Sequence, residues 1–380
     1  MVAGYDAIVL GVGGIGSAAL ACLARQKLRV LGLDRFEAGH DRGSSHGQTR
    51  IIRQAYFEHP DYVPLLLRAY EAWRELEARA GRRLYYEVGL LQVGPAEGLV
   101  LSGVLASARE HRLDVETLEP SEIAARFPGF RPRPDMQGAF ERRSGYLLVE
   151  ECVRAQAADA VAAGADLRTS EAAIAWRTTE SGGVEVQTER GLYHAERLII
   201  TAGAWAGPLL AELQLPLEVV RKPLYWYSTA SDAYRPERGC PTFLFEAPEG
   251  IFYGFPQLGP DGIKVAEHTG GKRVDDPLTL DRRIDRADQQ RVEHFLAEYL
   301  PAAGGVCNRH AACMYTLTPD RNFVVDCHPR HKQVVFAAGL SGHGFKFAPV
   351  LGEALAQLAL HETSVLPIAF LSASRFSRPG

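Results

Sequence analysis

A glycine-rich turn close to the N-terminus limits the architecture of this chain more than any other feature. Residues Tyr5 to Leu10 read as a short buried strand, followed by Gly11-Val12-Gly13-Gly14-Ile15-Gly16 and an Ala-rich helical run to Arg25. A second strand, Leu28 to Leu33, ends at Asp34, 23 residues beyond Gly11. Gly11, Gly13 and Gly16 permit a tight turn and close backbone approach to a pyrophosphate, which the positive end of the following helix attracts. Asp34 is spaced to accept both ribose hydroxyls, and a carboxylate there repels the 2′-phosphate of NADP. The chain therefore opens as a dinucleotide-binding βαβ unit.

The stretch Ala7 to Ala24 carries no charge over 18 residues, the threshold length for a membrane span. Its four glycines and the preceding Asp6, in place of a basic flank, argue against a span or a signal peptide. A net charge of -4 gives no global attraction to nucleic acid or anionic membrane. The six cysteines, Cys22, Cys152, Cys240, Cys307, Cys313 and Cys327, form no CxxC pair, so neither a disulfide framework nor a zinc site is expected. The composition fits a cytoplasmic enzyme with a small-molecule partner, no metal, and 380 residues in two domains.

Beyond Asp34 the pattern becomes mixed. Amphipathic helices are expected near Asp61 to Arg79, Glu150 to Ala163 and Asp281 to Tyr299, with strand-like runs at Leu84 to Val93, Val184 to Thr188 and Leu198 to Thr201. Further β-like runs follow at Leu217 to Thr229, Thr242 to Glu246, Ile251 to Phe255 and Ile263 to Glu267. The tail returns to βα texture, with a strand Val334 to Ala338, a glycine-rich turn Gly339 to Gly344 and a helix to about Leu360. The expected fold is α/β: a discontinuous, Rossmann-like nucleotide domain (1-85, 150-215 and 318-380) and a substrate domain (86-149 and 216-317). A mixed, largely antiparallel sheet forms the second domain.

Four segments carry residues suited to chemistry. In Gly43-Ser44-Ser45-His46-Gly47-Gln48-Thr49-Arg50-Ile51-Ile52-Arg53, two arginines three apart would project to one side of a helical turn, one toward a flavin or phosphate and one toward a carboxylate. Alone, such a loop is more often a solvated basic turn. Cys313 and Tyr315 in Cys313-Met314-Tyr315-Thr316 share a face if the segment is a strand, although a lone cysteine in an apolar run is usually packed and inert. Gly342, Gly344 and Lys346 follow a strand end and open a helix, where backbone N–H groups could stabilise negative charge and the lysine could meet a carboxylate; an ordinary capping turn fits equally well. Period two puts Lys264, Ala266 and His268 on one strand face, while Tyr253 reads as core. Lysines are scarce, six among 42 basic residues, so each retained one hints at a use for a compact, tunable ammonium.

Together GSSHGQTRIIR, FYGFP, IKVAEH, CMYTLTPD and GLSGHGFKF, in this order and spacing, resemble the family of monomeric sarcosine oxidase and N-methyltryptophan oxidase over nearly the whole chain. The resemblance implies FAD bound through Gly11, Gly13, Gly16, Asp34, Ser44, His46, Thr49, Arg50, Gly342, Gly344 and Lys346, and held covalently by Cys313. It implies that Arg53 and Lys346 hold a substrate carboxylate and that Lys264 activates oxygen. Tyr253, His268 and Tyr315 would line the substrate cavity. The implied reaction converts a secondary amino acid such as sarcosine to an imine, which hydrolyses to glycine and formaldehyde, with release of hydrogen peroxide; the implied protein is a monomer.

The chain departs from the family at Ser45-His46-Gly47-Gln48, where His-His-Gly-Asp is common. The aromatic runs Lys222 to Tyr227 and Thr242 to Phe245 look bulkier than glycine chemistry needs, which favours N-methyltryptophan, pipecolate or proline as alternative substrates. An NAD-dependent dehydrogenase and a non-catalytic flavin-binding module are the readings outside this class.

Overall fold

The computed structural model describes residues 4–376. Strand Tyr5–Leu10 lies between Gly191–Ile200 and Val30–Leu33, parallel to both. Its side chains alternate: Ala7 and Val9 enter one apolar core, Ile8 and Leu10 another on the opposite face. Parallel strands covered on both faces need such continuous apolar runs. The second strand begins at Val30 rather than Leu28.

This eight-stranded sheet also draws Asp166–Arg168, Ala173–Thr178, Val184–Thr188, Val324–Cys327 and Val334–Ala338 from distant parts of the chain. Helices Gly14–Arg25, Tyr62–Ala80 and Ala348–His361 cover one face. The first and last of these touch closely, since a Cβ on Gly352 would lie 2.6 Å from that of Ala18.

A nine-stranded sheet forms the second layer system, mostly antiparallel, with Thr242–Ala247 running parallel to Leu90–Pro95. Its long strands Glu218–Tyr227 and Cys307–Leu317 pair antiparallel over most of their length. Helix Arg286–Tyr299, capped by the Asp285 carboxylate, packs Phe295 on Phe252 with ring centroids 4.5 Å apart.

Several sequence expectations change here. The run Leu84 to Val93 is two strands in two sheets, Tyr85–Glu87 and Leu90–Pro95. Gly89 breaks it with φ +80°, where an added Cβ would meet the Phe140 ring at 2.6 Å. The helices Leu99–His111 and Pro120–Arg126 were not anticipated. Residues Thr49–Ile52 form a strand of a three-stranded sheet, not a helical turn, so the i, i+3 argument for Arg50 and Arg53 fails.

The aromatic runs are also reassigned. Tyr225, Tyr227, Phe243 and Phe245 point to the face covered by helix Arg286–Tyr299 and are fully packed in that core. Leu224, Trp226, Leu244 and Tyr253 occupy the opposite face. The aromatic side chains of the runs Lys222 to Tyr227 and Thr242 to Phe245 therefore build core and carry no information about substrate size. Among the described residues, no helix is long and apolar enough to cross a membrane.

Candidate active site

A groove of about 1400 Å³ runs from the Gly11–Gly14 turn past Asp34 and the Thr201–Trp205 segment to Gly342 and Phe345. Gly11 has φ +84°, and a Cβ there would lie 2.6 Å from the Thr201 carbonyl oxygen. On Gly16 a Cβ would collide with the Gly11 carbonyl oxygen. Gly13 is different: its Cβ position meets no protein atom within 4 Å and lies along the groove. Helix Gly14–Arg25 begins there with no side-chain cap, leaving its first N–H groups for an anion.

Asp34 holds the groove's far end. Its Oδ2 accepts the Val12 N–H at 2.6 Å and its Oδ1 the Phe36 N–H at 2.9 Å, so each oxygen keeps a lone pair for a ribose hydroxyl. Burial pushes the carboxyl up to about 6, against these two hydrogen bonds. An uncapped helix terminus, a glycine with free space before it and an anchored carboxylate fit an adenine dinucleotide such as FAD.

At the groove's other end, Arg50 donates from Nη2 to the Ser44 carbonyl at 2.7 Å and from Nη1 to the Thr49 carbonyl at 2.8 Å. Its Nη2 also lies 3.4 Å from Cys313 Sγ. Burial raises the Cys313 thiol, but neighbouring His46 and Arg50 outweigh it and bring the group down to about 6. Burial raises each of the other five cysteines, so the tertiary structure singles out the one thiol that composition left indistinguishable. His46 is itself buried and its Nε2 has no hydrogen-bond partner.

A second cavity, about 520 Å³, shares Arg50, Tyr315, Gly342 and Phe345 with the groove. Arg53, Lys346, Tyr253 and His268 complete its polar lining together with Glu58 and His343. Arg53 enters just past the end of strand Thr49–Ile52 and donates from Nη2 to both oxygens of Glu58, at 2.6 and 2.7 Å. Arg53 and neighbouring cations hold the Glu58 carboxyl down at about 2 despite its burial. Lys346 donates to the His343 carbonyl at 2.8 Å; burial, with Arg53 nearby, lowers its ammonium to about 7. Burial lowers His268 to about 3, so it is a neutral imidazole, with Nδ1 3.4 Å from the Tyr315 hydroxyl.

Lys264 lines neither space. Its Nζ donates to the carbonyls of Gly47 and Thr49 at 2.7 and 2.8 Å and contacts Thr49 Oγ1 at 3.0 Å. Burial places it well below the ordinary lysine range. Thr49 and His46 likewise lie behind the groove wall, whereas Gly11, Gly13, Asp34, Ser44, Arg50, Gly342 and Gly344 line it. The same loop is held from outside by Glu150, which accepts the Gly47 and Gln48 N–H groups. The unusual Gln48 accepts the Trp226 indole N–H at 3.0 Å.

Sequence reasoning passed over Glu58, Tyr56 and His343, which contact the predicted cations. Only an acid five residues after Arg53 hinted at the first of them. Outside the lining of both cavities, Glu212, His328 and His331 converge within 4.8 Å. Arg330 pairs with that carboxylate and its N–H donates to His328 Nδ1 at 3.3 Å, which is the arrangement of an ion-pair cluster.

Residues 6–358 match the family model described as FAD dependent oxidoreductase. The chain is 40% identical over 374 residues to monomeric sarcosine oxidase of Arthrobacter sp. (strain TE1826), covering 96% of each. It is 38% identical over 379 residues to N-methyl-L-tryptophan oxidase of Salmonella dublin, covering 98% of this chain and all of that one. The solved structure of NikD, an unusual amino acid oxidase essential for nikkomycin biosynthesis, superposes with a TM-score of 0.84 at 28% identity over 97% of each chain.

Proposed function

The chain belongs to the FAD-dependent oxidoreductase family, and from that premise we propose that it oxidises a small secondary amino acid, such as sarcosine, with oxygen as acceptor. The observation that carries this reading is the shared wall of Arg50, Tyr315, Gly342 and Phe345, which joins a groove suited to FAD to a cavity lined by buried cations. When bound, FAD supplies a two-electron acceptor that oxygen restores, with hydrogen peroxide as the by-product. The nicotinamide-dependent alternative gives way to the family assignment.

The chain's own residues bind and orient. Arg50, Arg53 and Lys346 outnumber the single carboxylate of Glu58 in the cavity, so an anionic group is attracted there. Arg53 and Lys346 are the clamp for the substrate carboxylate. Fixing that end orients the amine and its adjacent carbon, and orientation supplies a large share of acceleration in reactions of this kind. Neutral His268 and the phenols of Tyr253 and Tyr315, held protonated by burial, add no competing charge and exclude water. The oxidised substrate is an imine, which water hydrolyses; from sarcosine this gives glycine and formaldehyde.

Cys313 is the residue we assign to covalent flavin attachment, on the strength of its lowered thiol and its contact with Arg50. Lys264 is assigned to oxygen activation. The protein is taken to act as a cytoplasmic monomer, with residues 1-85, 150-215 and 318-380 as the FAD unit and 86-149 and 216-317 as the substrate unit.

The test is a peroxide assay on flavin-loaded protein with sarcosine, N-methyl-L-tryptophan, pipecolate and proline. Peroxide from one or more of these is expected, with sarcosine foremost. No peroxide from any secondary amino acid, in protein that is yellow and folded, removes the proposal.

A further inference from the structure

Tyr56 is fully buried and touches both cations of the carboxylate clamp. The Arg53 guanidinium lies over its ring, 4.1 Å from the centroid, and Lys346 Nζ lies 3.4 Å from its hydroxyl. The hydroxyl is 2.5 Å from His343 Nδ1, and His343 Nε2 is 2.9 Å from the Arg321 carbonyl oxygen. A carbonyl only accepts, so His343 carries its proton on Nε2 and presents a lone pair at Nδ1. The Tyr56 proton is thereby committed to His343. What remains on the Tyr56 oxygen is a lone pair, which a protonated lysine can use and a neutral one gains little from.

We infer that Tyr56, with its hydroxyl fixed by His343, is a positioning residue that aims Arg53 and keeps Lys346 protonated for a substrate carboxylate. This rests on the clamp proposed above. Four further groups face Lys346: Arg53 and Arg50 disfavour its charge, Glu58 favours it, and His343 is neutral, lowered by burial to about 4. The Tyr56 oxygen adds to the favourable side, because a hydrogen bond to the charged form of a group stabilises that form. Removing it lowers the pH at which Lys346 loses its proton.

Tyr56→Phe separates the two contacts, since it keeps the ring beneath Arg53 and removes only the hydroxyl. The probe is acetate, a bare carboxylate, followed through the flavin absorbance of the holoenzyme between pH 6 and 9; sarcosine KM and kcat are measured in parallel. Flavin content and unfolding temperature report whether the variant is folded. His343→Asn, which retains a polar side chain but sets no fixed acceptor at Nδ1, is the second variant. Acetate binding weakened roughly tenfold in Tyr56→Phe, with its decline starting at lower pH and KM rising while kcat stays within about twofold, is the expected result. His343→Asn should move the pH profile in the same direction. Equal acetate binding and an unshifted profile in folded Tyr56→Phe overturn the inference while leaving the clamp intact. No acetate binding to the wild-type protein overturns the clamp and the inference together.

Discussion

Cys313 Sγ and the Arg50 guanidinium lie 3.4 Å apart, on two strands whose first and last residues are separated by most of the chain. A guanidinium at that distance favours the thiolate, the nucleophilic form of cysteine. If Cys313 bonds the flavin, attachment on mixing apoprotein with FAD should follow the thiolate population. The rate should be half-maximal near pH 6 and fall about tenfold per unit below it. Arg50→Met should move that midpoint upward, and Cys313→Ala should release all flavin on acid precipitation. A rate independent of pH between 5 and 8 would argue against thiolate attack.

Gly13→Ala distinguishes cofactor approach from folding. The added methyl meets no atom beyond the adjoining residues within 4 Å, and the backbone φ of -76° lies outside the left-handed region that favours glycine. Apoprotein stability should change by less than about 0.5 kcal/mol while FAD affinity drops sharply, because the methyl fills the space where a pyrophosphate meets the helix end. Retention of normal flavin content by the purified variant would show that Gly13 does not face the cofactor.

Glu58→Ala should destabilise the protein by about 3 kcal/mol, since it leaves the buried Arg53 without its bidentate partner. The folded-state carboxyl is depressed to about 2 from 4.5, so the pair's contribution is complete above pH 4.5 and disappears as pH falls through 2. Urea unfolding of the two proteins at pH 7 and pH 3 measures both statements; the gap between them should narrow at the lower pH.

The clamp makes KM depend on pH. Lys346, at about 7, is mostly protonated at pH 6 and mostly neutral at pH 8, so KM for a carboxylate-bearing substrate should rise across this interval. Lys346→Met should show a high KM without that rise. Stopped-flow reduction of the flavin at several substrate concentrations isolates the binding step.

Lys264→Met tests the assignment to oxygen activation of a lysine that lines neither cavity and is held by Gly47 and Thr49. Reoxidation of reduced flavin by oxygen should slow roughly a hundredfold, with reduction by substrate changed only a few-fold. Equal slowing of both half-reactions would reassign Lys264 to holding the loop.

Much of this protein was already determined by local sequence. The strand-turn-helix-strand-acid pattern from Tyr5 to Asp34 depends on steric limits at three glycines and on period-two alternation, both readable within 30 residues. The resemblance of its motifs to a known family, rather than local sequence, pointed to Cys313, Arg53, Lys346, Tyr253, His268 and Tyr315. Tertiary structure alone decided what those residues experience. Cys313 is a low thiol because His46 and Arg50 arrive from a distant loop and the strand that follows it, and Arg53 is paired because the chain turns Glu58 back onto it. Face assignment in the second sheet was equally unreadable. Both faces of those strands are apolar, so hydrophobicity could not tell which aromatic residues meet helix Arg286–Tyr299 and which meet the cavity. Charge, burial and facing direction are properties of neighbours in space, and a linear sequence specifies them only after it has folded.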